Sequence, residues 1–501
     1  MTRTRNTSLR AAIRLVAAAA ALAAAAAHAA PSFVNGLTID ASTGDQFGSS
    51  VNDGRLGMFS DLYYDRARNE WWGLSDRGPG GGTLSYDTRV QRFTLDVNPV
   101  TGAISNFQVA ATIKFSNAGN ALNGLAPANA AVLGNAFDPE GFVINPRNGN
   151  LLVSDEYGPS VLEFDRNGAL VRTYATPANL VPKVAGSTDY NAGPTTLSSG
   201  REGNRGLEGL AISPDGRFAY AMLQNGTVSD GTINGSNLER GMYARIIKYN
   251  TTTGAAVAQF AYRLDGNGPA PAQGRGISAI VALDDNRFMV LERNNRGVGV
   301  PNANLASPSK LVYVIDISGA SDVTGIDLDA PLPADIKAVS KAGSALLNLA
   351  TTAAMNDPSL AALGGRSPEK WEGLTVGPQL QNGSFLLLAG TDNDYSVTQN
   401  GGSVQFDVYY NKATGTRMQC DLGATTNCFG IASDGTVGNT NLGDLPSGFA
   451  LIPGVLHAYT ATAADLGGYT APVPEPGQWA LMLAGLLGLG GLGRFSRRAA
   501  R

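Results

Sequence analysis

"FDPEGFVINPRNGNLLVSDEYGPSVLEFD", residues 137–165, decides the fold. Two short apolar runs, GFVI and NLLVSD, flank a polar turn built on Pro146 and the pair Asn148-Gly149, which is the pattern of a β-hairpin. Its carboxylates, Asp138, Glu140, Asp155 and Glu156, stand where these runs begin and end, although only 16% of the chain is charged.

The same unit recurs. Residues 58–79 (MFSDLYYDRARNEWWGLSDRGP) carry a strand, a turn and a second strand ending in Ser-Asp. Residues 206–226 (GLEGLAISPDGRFAYAMLQNG) keep the Glu-Gly start and the turn, and residues 276–297 (GISAIVALDDNRFMVLERNNRG) keep the turn and end in Leu-Glu-Arg. Residues 370–394 (KWEGLTVGPQLQNGSFLLLAGTDND) restore Glu-Gly and close in Asp-Asn-Asp. Further strand candidates follow, such as RVQRFTLDV and ARIIKYNTTTG. At least five copies of one sheet-like unit predict an all-β fold, a β-propeller of about four strands per blade. FVNGLTID (33–40) and GVLHAYTAT (454–462) are expected to share a sixth blade that closes the ring through both termini. A β-sandwich or a β-helix is the competing architecture. Helical periodicity shows only near residues 342–355.

The two ends read as processing signals. Arg3, Arg5, Arg10 and Arg14 precede an apolar stretch, Leu15 to Ala27, that ends in AHAAPS, so residues 1–30 are expected to be a secretory signal peptide. At the other end a Pro-rich spacer leads into an apolar run, Trp479 to Gly493, and then Arg494, Arg497, Arg498 and Arg501. That run is short for a full span, and the arginines favour a cytoplasmic end. With Val473-Pro474-Glu475-Pro476 it resembles the PEP-CTERM sorting signal of Gram-negative bacteria. The resemblance implies transient anchoring in the inner membrane by a C-terminal transmembrane helix, recognition by an exosortase, and display on the envelope, the outer surface or in the extracellular matrix. Residues 31–472 remain as the propeller domain.

Cys420 and Cys428, the only cysteines, suit a disulfide closing a small loop in an oxidising compartment. The formal charge of -4 gives no electrostatic case for nucleic acid. There is no Gly-x-Ser-x-Gly elbow, and His457 is the single histidine beyond the leader, which leaves little room for a serine triad. His457 is read as a packed or capping residue. The glycine-rich 265–276 lies in a loop pattern and is no nucleotide cradle.

In a propeller the innermost strands converge on a central channel. Glu140, Glu208 and Glu372 occupy equivalent positions and are expected to point into one mouth. Asp76, Asp155, Glu156, Glu292, Asp392 and Asp394 close the following strands, near Arg77, Arg205, Arg275 and Arg293. Gathered carboxylates repel unless cations neutralise them, and Ca²⁺ accepts many oxygen ligands in flexible geometry. The bland reading makes the same carboxylates turn caps and blade-to-blade struts.

From about Leu56 to Tyr410 the ordered motifs DPEGF, NRGLEGLAISPDGR, LERNNRG and WEGLTVGPQLQNGSFLLLAGTDND resemble the phytase-like domain family, the "esterase-like activity of phytase" proteins. The resemblance implies a Ca²⁺-dependent hydrolase of a small phosphate- or ester-bearing substrate. It places the metal on Glu140, Asp155, Glu156, Glu208, Glu292, Glu372 and Asp392. It assigns catalytic duty to Glu140 and Glu208, with Arg77, Arg205 and Arg293 on substrate oxygens. Ile277-Ser278 replaces Glu-Gly in the fourth unit, and the lysine cluster that phytate would call for is missing. The alternative is a non-catalytic propeller, displayed outside the cell, that binds matrix polysaccharide or a protein.

Overall fold

Strands with no polar alternation, such as Pro139–Ile144 and Leu207–Ile212, are buried at every residue. Such strands need cover on both faces of their sheet. The computed structural model supplies that cover by packing sheets against one another in a ring. It describes residues 31–472, apart from 48–53, 58, 79, 83–84, 231, 235–236, 240, 266–274, 300–304, 306, 329–330, 395–396 and 400–403. The expected signal peptide (1–30) and sorting segment (473–501) lie outside the described residues. Among the described residues no helix is long and apolar enough to cross a membrane.

Four of the sheets in the ring follow the chain order. The first comprises Asp61–Asp65, Glu70–Leu74, Arg89–Val97 and Ile104–Lys114. The second comprises Pro139–Ile144, Leu151–Asp155, Val161–Phe164 and Leu170–Thr173. The third comprises Leu207–Ile212, Phe218–Leu223, Tyr243–Asn250 and Ala255–Arg263. The fourth holds Arg275–Ala282, Arg287–Asn294 and Lys310–Asp316, its outer edge made by Ser340–Lys341 and Leu347–Asn348. The fifth joins Trp371–Gln379 and Phe385–Thr391 to Gly454–Ala461 and, outermost, Ser32–Ile39.

No sheet closes on itself; the ring closes through the first strands, each of which touches the first strands of both neighbouring sheets, the fifth returning to the first. Five apolar cores fill the gaps between consecutive sheets. Aromatic and aliphatic side chains fill them together: Trp72 and Phe142 join the first and second sheets, and Leu152 and Leu210 the second and third. Tyr220 and Phe288 join the third and fourth, Leu291 and Trp371 the fourth and fifth, Leu386 and Leu62 the fifth and first.

The expectation of six blades gives way to a ring of five. Residues 33–40 and 454–462 do share a sheet, but that sheet is the one begun by Trp371–Gln379. The sixth sheet, Val397–Gln399, Gln405–Asn411, Arg417–Asp421 and Phe429–Ile431 with Phe449–Leu451, is inserted between two strands of the fifth blade. A buried ion pair, Arg55 with Asp407 at 2.6 Å, ties it to the ring, and the Cys420–Cys428 disulfide staples it internally. Helix near 342–355 reduces to one turn, Thr352–Met355, whose N-cap Thr351 accepts from the Ala354 N–H.

Candidate functional site

A one-residue bulge interrupts strand pairing at the start of the first strand in four of the five sheets. Register shifts fall between Pro139 and Phe142, Leu207 and Gly209, Ile277 and Ala279, and Trp371 and Gly373. A bulged residue leaves the ladder and its side chain is re-aimed. Glu140, Glu208, Ser278 and Glu372 are those residues, and Ser60 precedes the corresponding strand of the first sheet. The glycine after each glutamate has a separate cause. A Cβ on Gly141 would lie 2.5 Å from the Leu210 nitrogen, and one on Gly209 2.8 Å from the Ile280 nitrogen. Adjacent first strands approach too closely there for any side chain.

Glu140, Glu208, Glu372, Asp76, Asp138, Glu156, Asp392 and Asp394 form one electrostatically linked group at this end of the channel. Ser60 Oγ donates to Glu140 Oε2 at 2.5 Å, and the Gln224 amide donates to Glu208. Arg293 is held from three sides, by Glu372, by Glu369 at 2.6 Å and by Ser278 Oγ at 2.7 Å. Arg77 Nε lies 3.2 Å from Asp138 Oδ1 and donates through Nη1 to Asn204 at 2.8 Å. Lys370 Nζ bridges Asp392 and Asp394 at 2.7 and 3.0 Å.

These cations do not balance the cluster. Desolvation first, and then the charge of Asp394, pushes Asp76 up to about 7. Asp138, Glu140 and Glu208 are raised well above the usual carboxylate range by burial first; Glu156 adds to all three, Glu208 and Asp138 press further on Glu140, and Arg77 opposes the rise at Asp138. One oxygen each of Asp76, Asp138 and Glu140 fall within 4.8 Å of one another, and the same holds for Asp76, Asp392 and Asp394. The two triads differ in chemistry. The second already has the Lys370 ammonium between its members. In the first, Asp138 is 0% exposed and neither of its oxygens accepts a hydrogen bond. A buried ion without hydrogen bonds is costly, so the oxygen set of the first triad fits a hard divalent cation such as Ca²⁺.

Other expected ligands lie elsewhere or are otherwise engaged. Glu292 is a correction: it turns away from the mouth, accepting from Tyr262 Oη at 2.5 Å and pairing with Lys341 between the third and fourth sheets. Its neighbour Arg293 faces the mouth instead. Asp155 accepts from the N–H groups of Asp138, Tyr157 and Gly158 at 3.0–3.1 Å, which shapes the loop that carries Asp138. Arg205 donates to Gln224 and Asn225, both at 2.8 Å. Glu156 keeps one buried oxygen without a hydrogen bond. Lys370 and Ser60 lie outside the sequence expectation, and Asp76 and Asp138, noted at strand ends, are absent from the expected metal ligands. The signal for Asp138 was the extra carboxylate in Asp-Pro-Glu-Gly, and for Lys370 the lysine two residues before Glu372.

A serine and a histidine do meet, away from this mouth. Ser359 Oγ and His457 Nε2 are 3.0 Å apart, with Tyr459 Oη 3.5 Å from Nδ1. Both members are sealed: His457 is 0% and Ser359 4% exposed, under Phe33 and Trp371. No substrate reaches such a pair, and His457 is the packed residue the sequence implies. Burial lowers its imidazole from 6.5 to about 4. The histidine is thus neutral in the folded chain and charged in the unfolded chain below pH 6.5. Its contribution is fully present above pH 6.5 and is lost as pH falls through 4, about 3 kcal/mol in all. Denaturant unfolding of His457→Gln and the parent between pH 4 and 7 is expected to show the parent losing more stability on acidification, by that amount. Parallel curves would mean the imidazole is protonated in place.

A family model described as phytase-like, esterase-like activity of phytase, matches residues 54–395. An uncharacterized secreted protein of Arthroderma benhamiae is 26% identical over 325 residues, 56% of this chain. The chain spans 62% of that relative's length. Among solved structures, the periplasmic gluconolactonase of Pseudomonas aeruginosa aligns at 10% identity over 85% of this chain and 99% of that one, with a TM-score of 0.28. Hydrazine synthase of Kuenenia stuttgartiensis aligns at 11% identity over 67% and 77%, with a TM-score of 0.26. At such scores neither structure bears on fold or chemistry.

Proposed function

The chain belongs to the phytase-like family, described as esterase-like activity of phytase, and on that premise we propose that it is an exported, Ca²⁺-dependent hydrolase of phosphate or carboxylic esters. The observation that carries the reading is Asp138: a carboxylate with no exposure and no hydrogen bond, beside Asp76 and Glu140. Those three residues would hold the cation. When bound, it supplies positive charge against an ester oxygen and makes a nearby water more acidic.

The chain's own groups do the rest. Ser60 fixes the rotamer of Glu140, and Asp155 fixes the loop of Asp138. Glu208 keeps one buried oxygen without a partner; with its raised pKa it is the group placed to accept a proton from water. Arg77 and Arg293, each already oriented by carboxylates, offset negative charge on the substrate. Arg205 is oriented by two side-chain amides and takes the same role. The expected leader and PEP-CTERM-like segment, with the secreted relative, support export and exosortase handling. The displayed binding propeller, with matrix polysaccharide as partner, stays as the second reading because Lys370 already bridges two carboxylates of the second triad, where a cation would otherwise sit.

The test is turnover of p-nitrophenyl phosphate, p-nitrophenyl acetate and phytate in Ca²⁺ and in EDTA, with Tm recorded alongside. Calcium-dependent turnover is expected, and Ser359→Ala is expected to leave it unchanged. A calcium-dependent rise in Tm without turnover favours the binding propeller. No response of either quantity to calcium overturns the cation site.

A further inference from the structure

Next to the carboxylates lies a cavity of about 160 Å³ whose lining includes no carboxylate. Asn204, Arg205, Gln224, Arg275, Arg293 and Asn295 face it. Three guanidinium groups thus share one small, partly desolvated space, their side chains 25%, 17% and 11% exposed for Arg205, Arg275 and Arg293. Their acidic partners stand outside the lining: Glu202 is 3.5 Å from Arg205, Glu292 is 3.8 Å from Arg275, and Arg293 is gripped by Glu369 and Glu372. Arg275 donates to Ser309 Oγ through Nη2, while its buried Nη1 has no hydrogen-bond partner.

We propose that this cavity binds a phosphate-type oxyanion carried on the substrate, at a position separate from the bond that is hydrolysed. Planar guanidinium forks match tetrahedral oxyanions through paired hydrogen bonds, and low-dielectric walls strengthen the attraction. Three guanidinium forks with amide donors from Asn204 and Asn295 supply more N–H groups than a single carboxylate can accept, which favours a tetrahedral oxyanion with more acceptor oxygens. The cavity is wired to the carboxylate mouth by two shared residues. Gln224 touches both Arg205 and Glu208, and Arg293 joins the cavity to Glu372. The substrate class is then an ester that also bears a phosphate group. That class rests on the hydrolase reading above; the anion site itself does not.

Calorimetric titration of the protein in EDTA, with inorganic phosphate, glycerol 3-phosphate and acetate as probes, tests it. Both phosphates are expected to bind and acetate is not. Arg275→Gln should weaken phosphate binding by roughly tenfold to a hundredfold, the range for a charge-assisted hydrogen bond. Asn295→Asp should do the same by repulsion; Asn295 is exposed, so this variant keeps the fold if Arg275→Gln does not. Failure of inorganic phosphate to bind, equal binding of acetate, or indifference to both substitutions overturns the site. Binding of inorganic phosphate without glycerol 3-phosphate overturns its assignment to the substrate. Neither cation nor turnover enters the titration, so this site and the hydrolase reading fail separately.

Discussion

Asp138→Asn is expected to cut calcium-dependent turnover by about a thousandfold or more while leaving a folded protein, because several kcal/mol of charge stabilisation depend on the cation it would hold. The same substitution should raise the Tm measured in EDTA. Asp138 is a fully buried carboxylate whose oxygens have no hydrogen bond, and its charge adds to those of Glu156, Asp76 and Asp155. Removing one charge from a crowded, desolvated set relieves its repulsion with those neighbours. Opposing this, Arg77 loses its 3.2 Å partner, though it keeps Asn204. The acidic excess decides the sign. Stability in EDTA and the calcium-induced Tm shift, measured on parent and variant, separate the roles. A higher baseline with no calcium shift marks a ligand; a lower baseline with the calcium shift intact would make Asp138 a strut for Arg77.

Deletion of residues 32–39 is expected to abolish soluble, folded protein. This strand lies along Gly454–Ala461 from Ser32↔Thr460 to Ile39↔Gly454. Phe33 packs edge-on against His457 and Tyr459. Asn35 reaches across to the first sheet, accepting from the Ile104 N–H and donating to its carbonyl, both at 2.9 Å. The strand therefore stitches the last sheet to the first. Ile39 is buried and Phe33, Val34 and Leu37 are half-buried. Their burial together is worth several kcal/mol, at about 1.5–3 kcal/mol for a fully buried side chain, against a total stability of ~5–15 kcal/mol. The deletion also bares the edge of Gly454–Ala461, which invites pairing between molecules. Size-exclusion chromatography and far-UV circular dichroism read the outcome. A monomer with the parental Tm would show that the ring closes without this strand.

Local pattern made much of this legible. The Glu-Gly starts, the turns and the second strands all lie in sheets where the repeats place them. What failed was non-local. The fifth blade takes its third strand from residues 454–461 and its fourth from 32–39, on the far side of a 397–451 insertion that itself reads as β-structure. Nothing in a repeat pattern distinguishes an inserted sheet from a blade. The misplacement of Glu292 has a smaller cause. Successive strand residues face opposite ways, so a phase error of one exchanges Glu292 for Arg293. Glu292 pairs with Ile277 as Asp155 pairs with Pro139, so the residue that meets the mouth cluster is the next one along, Arg293 here and Glu156 there. Asp138 and Lys370 precede strands instead of lying in them, outside the alternation that located the glutamates.

The fifth blade also imposes a timetable. Its outermost strand is made from residues 32–39 and its partner from residues 454–461, so the earliest-synthesised part of the ring must wait for nearly the whole chain. Until then the first sheet lacks its neighbour on one side, and contacts of such long sequence separation form slowly. A chain threaded through a translocation pore would emerge with this strand first and its docking place last. The architecture postpones closure until residues 454–461 have been made, and a ring that closes late leaves its first strand without a partner for almost the whole of synthesis.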